Sequence, residues 1–269
     1  MNLQMDEIAK FIEKEYDLRN ISIDSILQEK GGRSVYKINT DKGIFVYKSS
    51  NEAKTEEEMA KDMYIFEFSE KKGFENIPKI LKTKSANNFV KNDRGYVHIM
   101  EFIDNGEPMD NTENWKEIGR ITAQLHNFQN YKYETSFTPE SEKETYKEIA
   151  KNIPFGQEFL EIAKNLPDFK NCSKSLIHSD IGLHNTAKNK EGKLFFLDWD
   201  SVGIGITILD LGFPLLSQFL DNELVFKKEN AMAFYNTYFE NKTLSKEDKE
   251  LIFDAGLFFS TYIFTIWKH

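Results

Sequence analysis

Apolar residues in the first hundred positions recur at helical spacing and then in short runs typical of strands. Ile8, Phe11, Ile12 and Tyr16 fall on one helical face and predict an amphipathic helix at the amino terminus. A charged stretch with a spaced apolar stripe, residues 51–72, predicts a second helix that ends near Gly73. β-Branched and aromatic runs predict strands at residues 21–28, 34–39, 43–49, 77–83 and 95–102. This part of the chain therefore predicts a small, strand-rich lobe.

The rest of the chain is patterned mostly as helix. Residues 115–128 place Ile118, Ile121, Leu125 and Phe128 on one inner face. Further helices are predicted at residues 209–220, 225–239 and 246–267. The exception is the segment at residues 175–200, where two short apolar runs flanked by polar turns predict a pair of strands. A turn-rich segment at residues 105–108 is the predicted hinge, and it divides the chain into lobes at residues 1–104 and 105–269.

Composition narrows the class of protein. A chain of 269 residues with 40% hydrophobic residues can bury a full core, and its 23 phenylalanines predict a core rich in rings. The net charge of −9 argues against a nucleic-acid partner, which needs a basic surface. Cys172 is the only cysteine, so no intrachain disulfide can form, and we expect a partly buried thiol without a role. No signal peptide or membrane-spanning run is visible, so we expect a cytoplasmic protein without a membrane partner.

Three oxygen-bearing side chains mark the segment at residues 175–200 as the candidate site. Asp180 follows the first apolar run, Asn185 comes five residues later, and Asp198 closes the second run. If the two runs pair as a hairpin, all three side chains lie at one end of it. One carboxylate and one amide oxygen suit Mg²⁺, which keeps water and phosphate oxygens in its other positions.

The pattern His178-x-Asp180, then Asn185 and Asp198, resembles the catalytic and metal-binding segments of the protein-kinase-like fold. With Asp-Trp-Asp in place of Asp-Phe-Gly, it is similar to the aminoglycoside phosphotransferase and choline kinase branch. The resemblance implies an α+β, bilobal fold. The N-lobe, residues 1–104, would be a small antiparallel sheet with one helix that binds nucleotide. The larger, mainly helical C-lobe, residues 105–269, would hold the catalytic loop, the metal site and the acceptor.

The same resemblance assigns roles in the C-lobe. Asp180 is expected to be the catalytic base, and Asn185 and Asp198 are expected to hold Mg²⁺ on the nucleotide phosphates. Asp210 matches an aspartate that braces the catalytic loop. The remaining side chains of interest are interpreted as structural or packing residues: His126, His178, His184 and Trp199.

In the N-lobe the resemblance points to three nucleotide contacts. The first is the phosphate loop, with Gly31, Gly32, Arg33 and Ser34 as candidates, although for Arg33 an exposed loop position is favoured over a phosphate contact. The second is Lys48, which grips the α- and β-phosphates; Glu58 is its expected partner. Four other acidic residues compete for that place: Glu52, Glu56, Glu57 and Asp62. The third is the strand and hinge around Glu101 and Ile103, whose backbone reads the nucleotide base.

The predicted function is transfer of the γ-phosphate of ATP or GTP to a hydroxyl of a small, amine-bearing molecule. An aminoglycoside-like acceptor is favoured because of the acidic charge and the form of the catalytic segment. Choline or ethanolamine, and metabolites such as homoserine or methylthioribose, stay open as alternatives. A protein kinase is disfavoured because no activation segment follows Asp198. A catalytically silent nucleotide-binding protein on the same fold is the rival from another class.

Overall fold

The structure is a computed structural model that describes residues 2–30, 32–104, 106–221 and 223–258, with only the backbone described at residues 2–4, 30 and 140–145. The chain divides into two compact units, Met1–Asp104 and Asn105–His269, called unit 1 and unit 2 below. Unit 1 is built on an antiparallel sheet and unit 2 is mainly helical, so the α+β class is confirmed. No helix within the described residues is both long and apolar enough to span a membrane.

In unit 1, six described strands form an antiparallel sheet in the order β1-β2-β3-β6-β4, with β5 pairing to β6. The helices are α1 (Asn2–Glu15) and α2 (Glu56–Lys72). The strands are β1 (Ser22–Lys30), β2 (Arg33–Thr40), β3 (Gly43–Ser49), β4 (Ile80–Leu81), β5 (Val90–Asn92) and β6 (Gly95–Glu101).

The two helices of unit 1 cover opposite faces of this sheet. Ile12 of α1 belongs to a buried cluster with Tyr47 of β3 and Val97 of β6. Met63 of α2 instead packs against Tyr96. Because successive side chains of a strand point to opposite faces, Tyr96 and Val97 separate the two clusters.

Helix α2 begins at Glu56, later than the start predicted at residue 51. Thr55 is the N-cap: its side chain accepts the Glu58 N–H, and Glu58 reaches back to the Thr55 N–H, forming a capping box. The helix ends as predicted at Gly73, whose φ of 68° is a left-handed conformation that glycine adopts without strain. Residues 77–83 contribute only the short β4, since Pro78 has no N–H to donate to a ladder.

Unit 2 combines helices with two small two-stranded sheets. Its α-helices are α3 (Thr112–His126), α4 (Pro139–Ala150), α5 (Gly156–Asn165), α6 (Leu209–Ser217), α7 (Lys228–Asn241) and α8 (Lys246–Glu250). Its strands are β7 (Lys174–Ile177), β8 (Thr186–Lys188), β9 (Leu194–Phe196) and β10 (Gly203–Ile206). Short 3₁₀ helices lie at Phe169–Asn171 and Leu183–Asn185.

Helices α3 and α7 pack at backbone distance and form the centre of this unit. A Cβ at Gly119 of α3 would lie 2.4 Å from the carbonyl oxygen of Phe234 on α7, so only glycine allows this approach. Trp115 is fully buried beside this contact, with its ring centroid 4.6 Å from that of Phe219 and 5.9 Å from that of Phe234. The ring-rich core expected from composition is present here.

Strand pairing around the candidate site differs from the prediction. The two apolar runs do not pair with each other: β7 pairs with β10, and β9 pairs with β8. The predicted hairpin is therefore wrong. A further strand, β8, begins directly after Asn185 and pairs with β9, and β7 pairs with the later β10.

The predicted helix at residues 246–267 is interrupted. Helix α8 ends at Glu250, Leu251 forms a turn, and residues 252–258 are helical again. The remainder of the predicted helix lies outside the described residues. Helices α4 and α5 and strands β5, β8 and β10 have no counterpart among the elements predicted from the sequence.

Candidate active site

The loop after β7, which carries Asp180, is fixed through its backbone. His178 donates its N–H to Asp210 Oδ2 at 2.7 Å, and Ser179 donates its N–H to Asp210 Oδ1 at 2.6 Å. Asp210 lies in the first turn of α6 and is fully buried. Ser179 has a φ of 75°, a conformation that costs energy for a residue with a Cβ, and the hydrogen bonds to Asp210 compensate for it. The bracing role expected of Asp210 is confirmed.

A buried chain of hydrogen bonds continues from Asp210 to α7. His126 Nε2 lies 3.0 Å from Asp210 Oδ2, and His126 Nδ1 lies 2.9 Å from the Tyr238 hydroxyl oxygen. A carboxylate only accepts, so the network assigns the ring hydrogen to Nε2, and Nδ1 accepts the Tyr238 O–H. Burial raises the pKa of Tyr238, which keeps this hydroxyl protonated. The structural role predicted for His126 is confirmed.

Two side chains from the same loop hold the Asp180 carboxylate. Asn185 Nδ2 donates to Asp180 Oδ2 at 2.7 Å and to the Asp180 carbonyl oxygen at 3.0 Å. His184 Nε2 lies 3.2 Å from Asp180 Oδ1. The Asp180 side chain is still 43% exposed, so a solute can reach it. Asp180 and Asn185 are in direct contact, and their catalytic and metal-binding roles stay predictions.

Opposing effects act on the charge of this pair. Burial raises the pKa of Asp180, but the hydrogen bond and positive charge of His184, with His178 and Asn185, outweigh it and leave the pKa below its usual value. The pKa of His184 is raised, first by its hydrogen bond to Asp180. Asp180 is therefore ionised at neutral pH, as a proton acceptor must be.

Asp198 is placed near this loop by the residue before it. Leu197 donates its N–H to the Asn185 carbonyl oxygen at 2.8 Å, and its own carbonyl oxygen lies 2.8 Å from His178 Nε2. Asp198 follows with a φ of 56°. His178 thus contacts backbone, and Trp199 is buried with its ring 4.7 Å from the His178 ring, which confirms the structural roles predicted for both.

The candidate phosphate loop in unit 1 is the turn between β1 and β2. Gly31 lies outside the described residues. Gly32 has a φ of 76°, which a side chain at this position would strain, and Arg33 opens β2 opposite Lys30. Ser34 donates its N–H to Ser49 Oγ at 3.2 Å, which ties the turn to the end of β3. Nucleotide binding by this loop stays a prediction.

Lys48 lies in β3 between Val35 of β2 and His98 of β6. Its neighbour Tyr47 packs into the α1 core, so the Lys48 side chain leaves the sheet on the other face, which it shares with Tyr96. Its role as a phosphate ligand stays a prediction.

The acidic residues expected near Lys48 have local contacts. Glu58 Oε2 accepts the Thr55 N–H at 2.7 Å and the Thr55 hydroxyl at 3.0 Å in the capping box. These bonds lower the pKa of Glu58. Asp62 forms an ion pair with Lys54. The pairing of Glu58 with Lys48 therefore stays a prediction, and the structure adds a capping role to it.

The candidate hinge is held by the segment before β4. Glu101 donates its N–H to the Lys79 carbonyl oxygen at 2.9 Å and accepts the Lys79 N–H on Oε2 at 3.2 Å. Ile103 is buried. Recognition of the nucleotide base at Glu101 and Ile103 stays a prediction.

Three residues in or against the loop that carries Asp180 have no catalytic role predicted from the sequence. They are His184, which was interpreted as structural, and Gly182 and Gln218, which carry no motif. The spacing of four residues between Asp180 and His184 hints at a contact. Gln218 lies 35 residues beyond Leu183, to which it is hydrogen-bonded at 3.2 Å, and local spacing could not reveal it.

Comparison with solved structures shows that the chain has the fold of small-molecule kinases. Amicoumacin kinase hAmiN, solved with AMP-PNP, Ca²⁺ and Ami, superposes with a TM-score of 0.75 at 15% identity, over 97% of this chain and 85% of that one. Spectinomycin phosphotransferase APH(9)-Ia, with ADP and spectinomycin, gives 0.66 at 17% identity, over 95% and 88%. Choline kinase LicA from Streptococcus pneumoniae gives 0.65 at 15% identity, over 100% and 92%.

The family follows from the sequence itself. Residues 27–239 match the model of the phosphotransferase enzyme family, APH, and the chain belongs to that family. The matched region includes every catalytic and metal-binding candidate named above. The protein is thus a small-molecule kinase, and the resemblance stated from its catalytic segment is confirmed.

Proposed function

We propose that this kinase transfers the γ-phosphate of ATP or GTP, with Mg²⁺, to a hydroxyl group of a small, amine-bearing acceptor, with an aminoglycoside-like acceptor favoured. The observation that carries the proposal is the Asp180 carboxylate: ionised, partly exposed, and held on one oxygen by Asn185 and on the other by His184. A carboxylate so fixed can orient a hydroxyl group and accept its proton.

Asp180 is proposed to act late in the reaction. Its lowered pKa makes it a weak base, which suits phosphoryl transfer, because the transition state is largely dissociative and the hydroxyl becomes acidic only as the new bond forms. Positioning of the acceptor oxygen by Asp180 is then the larger part of its contribution.

The residues present suit a magnesium site. Asn185 donates its amide nitrogen Nδ2 to Asp180, which leaves its side-chain oxygen Oδ1 for a metal. Asp198 adds a carboxylate one residue beyond Leu197, whose N–H donates to the Asn185 main-chain carbonyl oxygen. No group of three or more His, Cys, Asp or Glu residues that could hold a metal occurs among the described residues. Two hard oxygen ligands agree with Mg²⁺ that keeps phosphate and water oxygens, and it would supply charge neutralisation at the phosphates.

Nucleotide binding is proposed for unit 1. Gly32 would offer its backbone N–H group to phosphate oxygens beside Arg33 and Ser34, and Lys48 would neutralise the α- and β-phosphates. Support comes from relatives of the same fold, since amicoumacin kinase was solved with AMP-PNP and spectinomycin phosphotransferase with ADP.

The class of acceptor is argued from charge and from the relatives. The chain carries a net charge of −9, which favours a cationic acceptor, and the relatives named above act on amicoumacin, spectinomycin and choline. Asp221 and Glu223 are acidic residues that would attract such an acceptor; Asp221 Oδ1 also accepts the N–H groups of Glu223 and Val225 and shapes their loop.

The proposal is tested by assaying the purified protein with ATP and GTP against aminoglycosides, choline, ethanolamine, homoserine and methylthioribose. We expect phosphorylation of an amine-bearing alcohol that disappears with EDTA. Asp180→Asn should lower kcat by about 10²- to 10⁴-fold with little change in nucleotide affinity. The control is the same substitution at Asp24, whose carboxylate forms an exposed ion pair with Lys37 at 2.9 Å. Nucleotide binding without transfer to any acceptor would instead favour the silent protein.

A further inference from the structure

We propose that His184 is a positioning residue of the reaction, which holds Asp180 Oδ1 and thereby sets the rotation of the catalytic carboxylate. This inference rests on the proposed function, since it assigns His184 a role through Asp180. The catalytic pattern used above consists of His178, Asp180, Asn185 and Asp198, and His184 is not part of it.

The two oxygens of Asp180 have separate donors. Asn185 Nδ2 holds Oδ2 at 2.7 Å, and His184 Nε2 holds Oδ1 at 3.2 Å. Rotation about the terminal bond of an aspartate is broad and weakly restricted by its own structure. One hydrogen bond leaves the carboxylate plane free to swing about that contact, whereas two donors on different oxygens fix it. The carboxylate lone pairs that accept the hydrogen of the acceptor hydroxyl therefore point in one direction.

The His184 ring occupies a space that the missing side chain of Gly182 leaves open. A Cβ at Gly182 would lie 2.6 Å from both Nδ1 and Cε1 of the ring, so the ring occupies the space that any other residue at 182 would fill. Gly182 has a φ of −167°, which every residue adopts, so the glycine is required for room and not for backbone conformation. Gln218 borders the same space, since its Cδ would lie 2.9 Å from that Cβ, and the Phe213 ring centroid lies 6.1 Å from that of His184.

The exposure of the pair argues for a role in the reaction over one in stability. The side chains of His184 and Asp180 are 44% and 43% exposed. A hydrogen bond between partly exposed groups contributes little to folding because water competes for both partners. Gly182 and Gln218 nevertheless border a space that holds the His184 ring in one position. The ring in turn fixes the orientation of the Asp180 carboxylate.

The test compares His184→Leu, which removes the donor, with His184→Gln, whose amide can still donate to Asp180. His184→Leu should lower kcat roughly 10- to 100-fold, the range for a lost hydrogen bond to a charged group. The KM for Mg²⁺–nucleotide and the Tm should stay near those of wild type. His184→Gln should recover most of the lost kcat.

Gly182→Ala supplies an independent route to the same contact. Its new methyl group displaces the His184 ring, so kcat should fall to a similar degree, and in the His184→Leu background it should lower kcat little further. Imidazole ¹⁵N shifts of His184 should also move in Asp180→Asn, which reports the contact without turnover.

Several results would overturn the inference. They are a wild-type kcat in His184→Leu, an equal loss in His184→Gln, or a loss accompanied by a lower Tm and a higher KM for Mg²⁺–nucleotide. Full additivity of Gly182→Ala with His184→Leu would also overturn it. If wild type itself transfers phosphate to no acceptor, the proposed function fails and the inference fails with it. If wild type is active, the kcat values of the variants test the inference alone.

Discussion

At the scale of single residues, the one cysteine shows how surroundings set reactivity. Cys172 is buried, and burial together with the nearby Asp248 carboxylate raises its pKa to about 11. A raised pKa keeps the thiol in its unreactive protonated form, which agrees with the expectation that Cys172 has no chemical role.

We predict that Cys172 reacts slowly with iodoacetamide in the folded protein. At pH 8 its thiolate fraction should be roughly a hundredfold below that of an ordinary cysteine, and reaction should speed up as pH rises towards about 11. The unfolded chain loses its thiol proton at lower pH than the folded one, so this group also lowers stability as pH rises above about 9. Equal alkylation rates in native protein and in urea at pH 8 would contradict the prediction.

The candidate site was partly predictable at this scale. The spacing of Asp180, Asn185 and Asp198 in one continuous segment indicated a cluster of oxygen ligands, and the resemblance implied a base and two metal ligands, roles that stay predictions. The partners that orient them could not be found in this way. Gln218 comes from the end of α6, and its contact with the Asp180 loop depends on the folded path of the chain.

At the scale of elements, the hydrogen-bond chain through Asp210, His126 and Tyr238 joins α6, α3 and α7 behind the catalytic loop. Removal of its last member leaves a buried acceptor, His126 Nδ1, without a donor. The cost of such a group is larger than that of the lost bond itself.

We predict that Tyr238→Phe lowers the free energy of unfolding by about 1–3 kcal/mol. Tyr235→Phe is the matched control on the same helix: its hydroxyl donates only to the Leu211 carbonyl oxygen, and its loss should cost about 1 kcal/mol. Urea unfolding of both variants measures these losses in the free energy of unfolding. A smaller loss in Tyr238→Phe than in Tyr235→Phe would show that the chain does not stabilise the fold.

Helix and strand positions followed largely from periodicity, whereas strand partners did not. The apolar face of α3 and the glycine end of α2 are local features, and both were predicted. The pairing of β7 with β10 depends on Gly203, where a Cβ would lie 2.2 Å from the backbone nitrogen of Thr135. This contact joins residues 68 positions apart along the sequence, and apolar runs of three or four residues carry no information about it.

At the scale of the whole molecule, unit 1 is expected to bind nucleotide and unit 2 to hold its metal ligands. Ligand that binds only the folded state raises stability in proportion to the logarithm of its concentration over Kd. Thermal stability in the presence of nucleotide therefore reports the proposed metal site without any need for turnover.

We predict that Mg²⁺–ATP at roughly 100 times its Kd stabilises wild type by about 2.7 kcal/mol, a rise in Tm of roughly 5 °C or more. Asp198→Ala should abolish the part of this rise that depends on Mg²⁺, and EDTA should do the same to wild type. Asp24→Asn should keep the full rise. A normal Mg²⁺-dependent rise in Asp198→Ala would refute the metal assignment.

Asp210 grips the catalytic loop by main-chain N–H groups, those of residues 178 and 179. Every residue except proline has a backbone N–H group, so these hydrogen bonds to Asp210 do not restrict which side chains the loop carries. The loop side chains can therefore change during evolution to bind a different acceptor alcohol while the backbone of the loop keeps its conformation. One kinase architecture can in this way serve chemically dissimilar substrates.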